Sequence, residues 1–242
     1  MIKFNFLKLI VDIGNSRTKL ALFNKKDLIK HEITSEFSKN FLSNFCDNHL
    51  ISSSIFSSVR KLNEADHRLI SAYNGLLLDS KTPIPIQSNY KSSIGTDRLS
   101  AVVGANYLFP NKNIWVFDAG TCLTADYIDK KKTYHGGRIT LGIEMRYKAL
   151  NKHTSKLPNL ELSEKSFFKG DTTENSIISG VQQGILAEVR TLISDFEKFN
   201  NDFIVLFTGG DSSFFEKELK NTIFADQFLV LKGLNEILDY NE

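Results

Sequence analysis

Two stretches of this 242-residue chain end an apolar run with aspartate, glycine and a hydroxyl or amide residue in close succession. The first is Val11-Asp12-Ile13-Gly14-Asn15-Ser16-Arg17-Thr18, the second Phe117-Asp118-Ala119-Gly120-Thr121-Cys122-Leu123-Thr124. Laid over one another at a single offset of 106 residues (118 − 12), they match Asp12 with Asp118, Gly14 with Gly120 and Thr18 with Thr124. A strand that leaves through Asp-x-Gly into a second strand presents backbone N–H groups and short polar side chains at its tip. Glycine lets a ligand approach the main chain closely, unpaired N–H groups form a concavity for an anion, and the aspartate can hold a cation that bridges to phosphate oxygens. Two such hairpins facing one another would clamp a polyphosphate. One copy alone reads equally as a plain hairpin whose aspartate and glycine serve the turn. Two copies in register, each with a carboxylate at the end of an apolar strand where burial demands a partner, favour phosphate chemistry.

Four other positions have side chains suited to a site. In Gly95-Thr96-Asp97-Arg98 the aspartate opens a predicted helix, where it serves either as an N-cap or as a base. Arg98 offers a planar fork of donors for a carboxylate, or a surface ion pair. Tyr90, just ahead of that turn, reads as a core or rim aromatic. Thr173, in Gly170-Asp171-Thr172-Thr173, stands where a long helix needs its N-cap. The five histidines, His135 among them, show no metal-ligand spacing.

The elements that must carry these residues follow from periodicity. Leu7 to Ile13, Thr18 to Phe23 and Asp27 to Ile33 read as three strands, followed by a helical stretch over Glu36 to Asn48 and a strand near Ile51 to Phe56. Asp97 to Leu108 has helical spacing. The polar, breaker-rich Pro110-Asn111-Lys112-Asn113 is the domain boundary that the composition suggests, dividing the chain into lobes 1–110 and 111–242. The pattern then restarts: strands Ile114 to Phe117, Thr121 to Ile128 and Thr133 to Ile139, helices near Ile143 to His153 and over Thr173 to Phe199, and a strand Phe203 to Phe207. Three strands first and helices alternating with strands after, stated twice, is an α/β plan.

Composition narrows the function classes. With 41% hydrophobic and 24% charged residues the chain has the makings of an ordinary globular protein. Its net charge of +2, from 30 basic and 28 acidic residues scattered along the chain, gives no basic field that would imply a nucleic-acid partner. The one tight basic run, Lys130-Lys131-Lys132, reads as a solvated turn between two strands. No stretch approaches the ~18 apolar residues of a membrane span, and the N-terminal apolar run lacks an A-x-A-like cleavage site. Two cysteines, Cys46 and Cys122, imply no disulfide framework and fit a reducing compartment, so a cytoplasmic protein with no membrane partner is expected.

Taken together, Asp12-Ile13-Gly14-Asn15-Ser16, Asp118-Ala119-Gly120-Thr121, Gly95-Thr96-Asp97-Arg98 and Gly136-Gly137-Arg138-Ile139-Thr140-Leu141-Gly142 resemble the motifs of the type III pantothenate kinases. That family lies within the acetate kinase, sugar kinase and actin superfamily. Order and spacing agree from residue 7 to about residue 185. Leu141 stands where the family usually has proline. Beyond Gly184 the one echo is Thr208-Gly209-Gly210-Asp211, similar to the superfamily's glycine-rich turn on the adenosine side.

The resemblance implies duplicated ribonuclease H-like (actin-like ATPase) domains with a central cleft, and ATP-dependent phosphorylation of pantothenate at the start of coenzyme A biosynthesis. It implies that Asp97 is the catalytic base. Tyr90, Gly95, Thr96, Asp97, Arg98 and Thr173 would meet pantothenate, the last across a homodimer interface. Asp12, Ile13, Gly14, Asn15, Ser16, Arg17, Thr18, Lys19 and Thr121 would meet ATP, with Mg²⁺ at Asp12 and a monovalent cation, K⁺ or NH₄⁺, at Asp118. Two alternatives share the scaffold: another small-molecule kinase or phosphatase, and a nucleotide-responsive regulator without catalysis.

Overall fold

The computed structural model describes residues 6–47, 49–165, 167–199, 202–219 and 223–242. The chain forms two compact units. The first runs to Asn111 and takes in Lys131–His135 and Phe228–Glu242; the second comprises Lys112–Lys130 and Gly136–Gln227. The first unit thus ends one residue beyond the expected division at 110/111 and takes back two short segments from beyond it.

In the first unit β1 (Phe6–Ile13) is the middle of a five-stranded sheet. It pairs antiparallel with β2 (Thr18–Asn24), which pairs with the edge strand β3 (Asp27–Thr34). On its other side lies β4 (Leu50–Ser58), parallel to it. Leu9, Ile10, Val11 and Ile13 are all buried, because a central strand covered on both faces needs apolar residues at successive positions rather than alternate ones. The sheet is flanked by α1 (Lys39–Phe45) and α2 (Glu64–Ala72), the latter opened by an Asn63–Asp66 capping box. The helix expected from Glu36 starts only at Lys39, since the Ser38 hydroxyl accepts from the Phe41 N–H and ends the preceding extended segment. Short strands β5 (Gly75–Leu77) and β6 (Gln87–Ser88) precede α3 (Thr96–Leu108), which is buried at every position from Arg98 to Ala105.

The second unit restates the plan. Strands β7 (Asn113–Ala119) and β8 (Cys122–Ile128) form an antiparallel hairpin. The exposed turn Lys130–Lys132 leads to β9 (Thr133–Leu141), whose Thr133 and Tyr134 pair with β6 in the first unit. Helices α4 (Ile143–Lys152) and α5 (Thr173–Phe199) follow, then β10 (Phe203–Thr208), parallel to β7, then α6 (Ser212–Leu219) and β11 (Phe224–Ala225). Its strand order β9-β8-β7-β10-β11 repeats β3-β2-β1-β4-β5, so the duplication inferred from two short motifs extends to the topology. The last helix, α7 (Leu229–Tyr240), rejoins the first unit and packs along α3.

The two hairpins differ in register. Ile13 lies opposite Thr18 and Asp12 opposite Lys19, whereas Ala119 lies opposite Leu123 and Asp118 opposite Thr124. The first loop is one residue longer, so Thr18 and Thr124, equivalent by offset, are not equivalent in the ladder, because side chains alternate faces along a strand.

Candidate active site

The first unit brings Asp12, Lys19, Ser57 and Asp97 into one electrostatic neighbourhood. Asp12, second from the end of β1, is buried between Lys19 on β2 and Ser57 on β4. The Ser57 hydroxyl donates to its Oδ1 at 2.6 Å. Burial raises the Asp12 pKa above the ordinary carboxylate value; Lys19 and the Ser57 hydrogen bond oppose this, and the Asp97 carboxylate adds to it. A buried acid pushed upward by desolvation and a second acid is a place where a cation would be welcome. Among the described residues there is no cluster of three or more His, Cys, Asp or Glu side chains fit to hold a metal alone.

At the hairpin tip the Gly14 N–H donates to the Arg17 carbonyl at 3.0 Å, and the Gly120 N–H to the Cys122 carbonyl at 2.9 Å. The glycine amides therefore close their own turns. The parts of the first tip open to a phosphate are the exposed Asn15, Ser16 and Arg17, while Ile13 and Thr18 are buried and Lys19 half-buried.

Asp97 is the second residue of α3, not its cap; Gly95 occupies the N-cap position without a side-chain bond. The Asp97 Oδ1 accepts from the Arg98 N–H at 2.8 Å, and Thr96 donates its hydroxyl to the Ser58 carbonyl at 3.3 Å, tying the helix start to the end of β4. A carboxylate in the first turn has the favourable side of the helix dipole. Arg98 is 6% exposed, a core position and not the surface ion pair that one reading allowed. Its Nη2 donates to the Tyr134 hydroxyl at 3.1 Å, and its guanidinium carbon lies 5.6 Å from the centre of the Tyr90 ring. Tyr90 and Tyr134 are themselves in ring contact, with centroids 5.7 Å apart.

In the second unit Asp118 is half-buried on β7, opposite Thr124 on β8 and Thr208 on β10. Thr208 corresponds to Ser57 in the repeated topology. Its Oγ1, on a residue with 0% exposure, has no hydrogen-bond partner. Gly209 follows with φ +93°, a conformation suited to glycine, and a Cβ there would overlap the Ala119 carbonyl and the Asp118 carboxylate. The Asp211 N–H donates to that same Ala119 carbonyl at 2.9 Å, so the Thr208-Gly209-Gly210-Asp211 turn is fastened to the second hairpin. Thr121 is exposed at the hairpin tip, and its carbonyl accepts from the Gly142 N–H at 3.1 Å. The end of β9 at Leu141 is pinned by Arg146, whose Nε donates to the Leu141 carbonyl at 2.9 Å and whose Nη2 bonds Thr140 and pairs with Glu188. Hydrogen bonds there supply the restraint that a proline ring would give.

Thr173 is the first residue of α5, but the cap is Thr172, whose hydroxyl accepts from the Asn175 N–H at 3.1 Å. Thr173 instead lines a cavity of about 1130 Å³ with Leu141, Leu150, Leu157, Ile177 and Val181. His135 is exposed. Sequence reasoning missed Ser57 and Tyr134, and it singled out Thr208 only as part of the glycine-rich turn, not as a neighbour of Asp118. The serine-rich Ser52-Ser53-Ser54-Ile55-Phe56-Ser57-Ser58 hinted at the first; only topology pairs Thr208 with Asp118 and Tyr134 with Arg98.

A family model described as type III pantothenate kinase matches residues 8–195. Proteins named type III pantothenate kinase from Phocaeicola vulgatus and Flavobacterium psychrophilum are 42% and 38% identical, covering 98% and 97% of this chain and 99% of each relative. Among solved structures, a Campylobacter jejuni protein described as a Baf family transcriptional activator superposes with a TM-score of 0.64 at 22% identity, over 96% of this chain and 98% of that one. The ADPNP-bound activator of the 2-hydroxyisocaproyl-CoA dehydratase from Clostridium difficile does so with a TM-score of 0.56 at 12% identity, over 97% and 94%. At those identities the likenesses establish the fold, duplicated α/β domains of the ribonuclease H-like, actin-like ATPase kind. With its motifs, its repeated sheets and near full-length relatives in agreement, the chain belongs to the type III pantothenate kinase family.

Proposed function

We propose that this protein transfers the γ-phosphoryl group of ATP to the primary hydroxyl of pantothenate, giving 4′-phosphopantothenate and ADP, the first step of coenzyme A biosynthesis. The observation that carries the reading is the grouping, within one unit, of Asp12, Asp97 and Arg98 on β1 and the first turn of α3. Asp97 accepts the proton of the pantothenate hydroxyl as its oxygen bonds to Pγ and the bond from Pγ to the bridging oxygen of ADP breaks. A carboxylate suffices, because phosphoryl transfer asks mainly for positioning and charge neutralisation. Arg98 receives the pantothenate carboxylate, and Tyr90 with Gly95 and Thr96 walls the acceptor site. Asn15, Ser16, Arg17 and Lys19 meet phosphate oxygens at the first tip, and Thr121 meets ATP at the second.

Asp12 would hold Mg²⁺, which when bound neutralises phosphate charge. Asp118 would hold a monovalent cation. The unpartnered Thr208 hydroxyl on the same sheet face offers a second oxygen there, where its counterpart Ser57 is already bonded to Asp12. A homodimer completes the reading. Thr173 lies in an apolar cavity of the second unit, which also carries Phe168 with its ring fully exposed, features that a second copy would cover.

The test is a coupled assay with ATP, Mg²⁺ and pantothenate, run in K⁺ and in Na⁺, on wild type and Asp97→Asn. Turnover in wild type, its depression in Na⁺, and at least about a hundredfold loss in the variant are expected, the usual scale for a removed base. Equal rates would take Asp97 out of the mechanism, indifference to the cation would remove the role of Asp118, and no product at all would refute the kinase reading.

A further inference from the structure

We infer that Ser57 is a positioning residue for the Mg²⁺ proposed at Asp12, orienting the carboxylate that holds the ion; this rests on the reading of Asp12 given above. The two residues stand 45 apart in the chain and face each other across the parallel pairing of β1 with β4. The Ser57 hydroxyl donates to Asp12 Oδ1 at 2.6 Å, and at 0% exposure Ser57 is shut away from water that could compete for the bond. Among the described residues no other side chain hydrogen-bonds the Asp12 carboxylate, and Lys19, opposite it on β2, makes no ion pair with it. The backbone of Ser57 is fixed as well. The ladder continues beyond it through Ile13 and Ser58, and the Val59 N–H donates to the Ile13 carbonyl at 3.1 Å. The Ser58 carbonyl accepts from the Thr96 hydroxyl at 3.3 Å, so adjacent residues at the end of β4 hold Asp12 and the helix start that carries Asp97.

The torsion that turns an aspartate carboxylate about its own axis is broad, so packing of the stem alone leaves the direction of the two oxygens open. A hydrogen bond to Oδ1 sets that direction, and with it the aim of Oδ2. Carboxylates that ligate metals are held by hydrogen bonds of this kind, and loss of the donor weakens the metal. The second unit shows that the bond belongs to this site and is no automatic result of the topology. Thr208, at the corresponding position of β10 and opposite Asp118 on β7, keeps its hydroxyl without a hydrogen-bond partner.

The test is Ser57→Ala, compared with Ser54→Ala, which removes a hydroxyl as deeply buried on the same strand but bonded to the Tyr73 carbonyl at 2.8 Å. ADP is titrated calorimetrically into the full chain in Mg²⁺ and again in EDTA, and the ratio of the two dissociation constants is the gain in affinity that the ion confers. That gain should fall about tenfold in Ser57→Ala, the lower end of what loss of a ligand-orienting hydrogen bond costs a metal. Affinity for ADP in EDTA should stay within about twofold, because the phosphate tips are untouched, and Ser54→Ala should keep the wild-type gain. An unchanged gain in Ser57→Ala, or equal weakening of ADP with and without the ion, would overturn the inference. So would an equal loss of the gain in Ser54→Ala, which would mark a purely structural role. A wild type that gains nothing from Mg²⁺ would refute the metal reading of Asp12 and this inference with it. Wild type that shows the gain but fails to phosphorylate pantothenate would refute the kinase reading alone, and the titrations would still decide the role of Ser57.

Discussion

At the scale of the residue, Asp12 concentrates the conflict between folding and function. Burial lifts its pKa from the ordinary 3.8, with Asp97 pushing the same way against Lys19 and Ser57. The folded protein without ligand holds this proton more tightly than the unfolded chain does. Stability from this group is therefore greatest at low pH and declines as pH rises from about 4 through the raised value. Asp12→Asn keeps the shape and the acceptor for Ser57 while removing the charge. Its melting temperature without ligand at pH 7 should exceed wild type by about 2–4 °C, the scale of about 1 kcal/mol in a protein of this size. The difference should vanish near pH 4, and phosphoryl transfer should fall steeply. A melting temperature equal to or below wild type at pH 7 would show that the carboxylate carries no such burden.

At the scale of the element, α3 carries Thr96, Asp97 and Arg98, and its placement depends on two glycines. A Cβ at Gly233 on α7 would overlap the Ser100 carbonyl, and one at Gly104 on α3 would overlap the Leu229 carbonyl. The helices therefore meet backbone to backbone, and any side chain at the crossing must push them apart. Gly233→Ala should cost about 1–3 kcal/mol in a denaturant titration, the usual penalty of overpacking, and should lower activity by displacing α3. Gly184→Ala provides the contrast. That glycine is exposed on α5 with nothing near its missing Cβ, and the same change there should stabilise by about 1 kcal/mol through helix propensity. Equal effects at the two sites would mean that the crossing tolerates a methyl group.

At the scale of the whole molecule, the proposed dimer draws on the second unit, where Phe168 is exposed and its carbonyl accepts from the Ser179 hydroxyl on α5, the helix whose Thr173 lines the cavity. Phe168→Asp should convert a dimer to a monomer in sedimentation equilibrium and raise the KM for pantothenate. A monomeric wild type would end the proposal that Thr173 serves a partner's substrate. No helix among the described residues is long and apolar enough to cross a membrane.

Much of this architecture was legible from residue order alone. The Asp-x-Gly pairs, the restart of the strand pattern after Pro110 and the 3.6-residue spacing of Leu99, Val102 and Val103 are local signals. Turn chemistry and side-chain periodicity are imposed by the covalent chain itself. Those signals defined the duplicated α/β plan and the positions of Asp12, Asp97, Arg98 and Asp118. The register of the two hairpins, the pairing of Ser57 with Asp12, the empty hydroxyl of Thr208 and the aim of Tyr134 at Arg98 were decided only by the tertiary structure. The hairpin register turns on one residue of loop length, and the others depend on strand pairing and packing between segments tens of residues apart, where nothing local in the chain encodes which side chain will stand opposite which. The glycines show the same limit: Gly104 and Gly233 look like weak points in their helices until α7 comes back from the end of the chain to lie against α3.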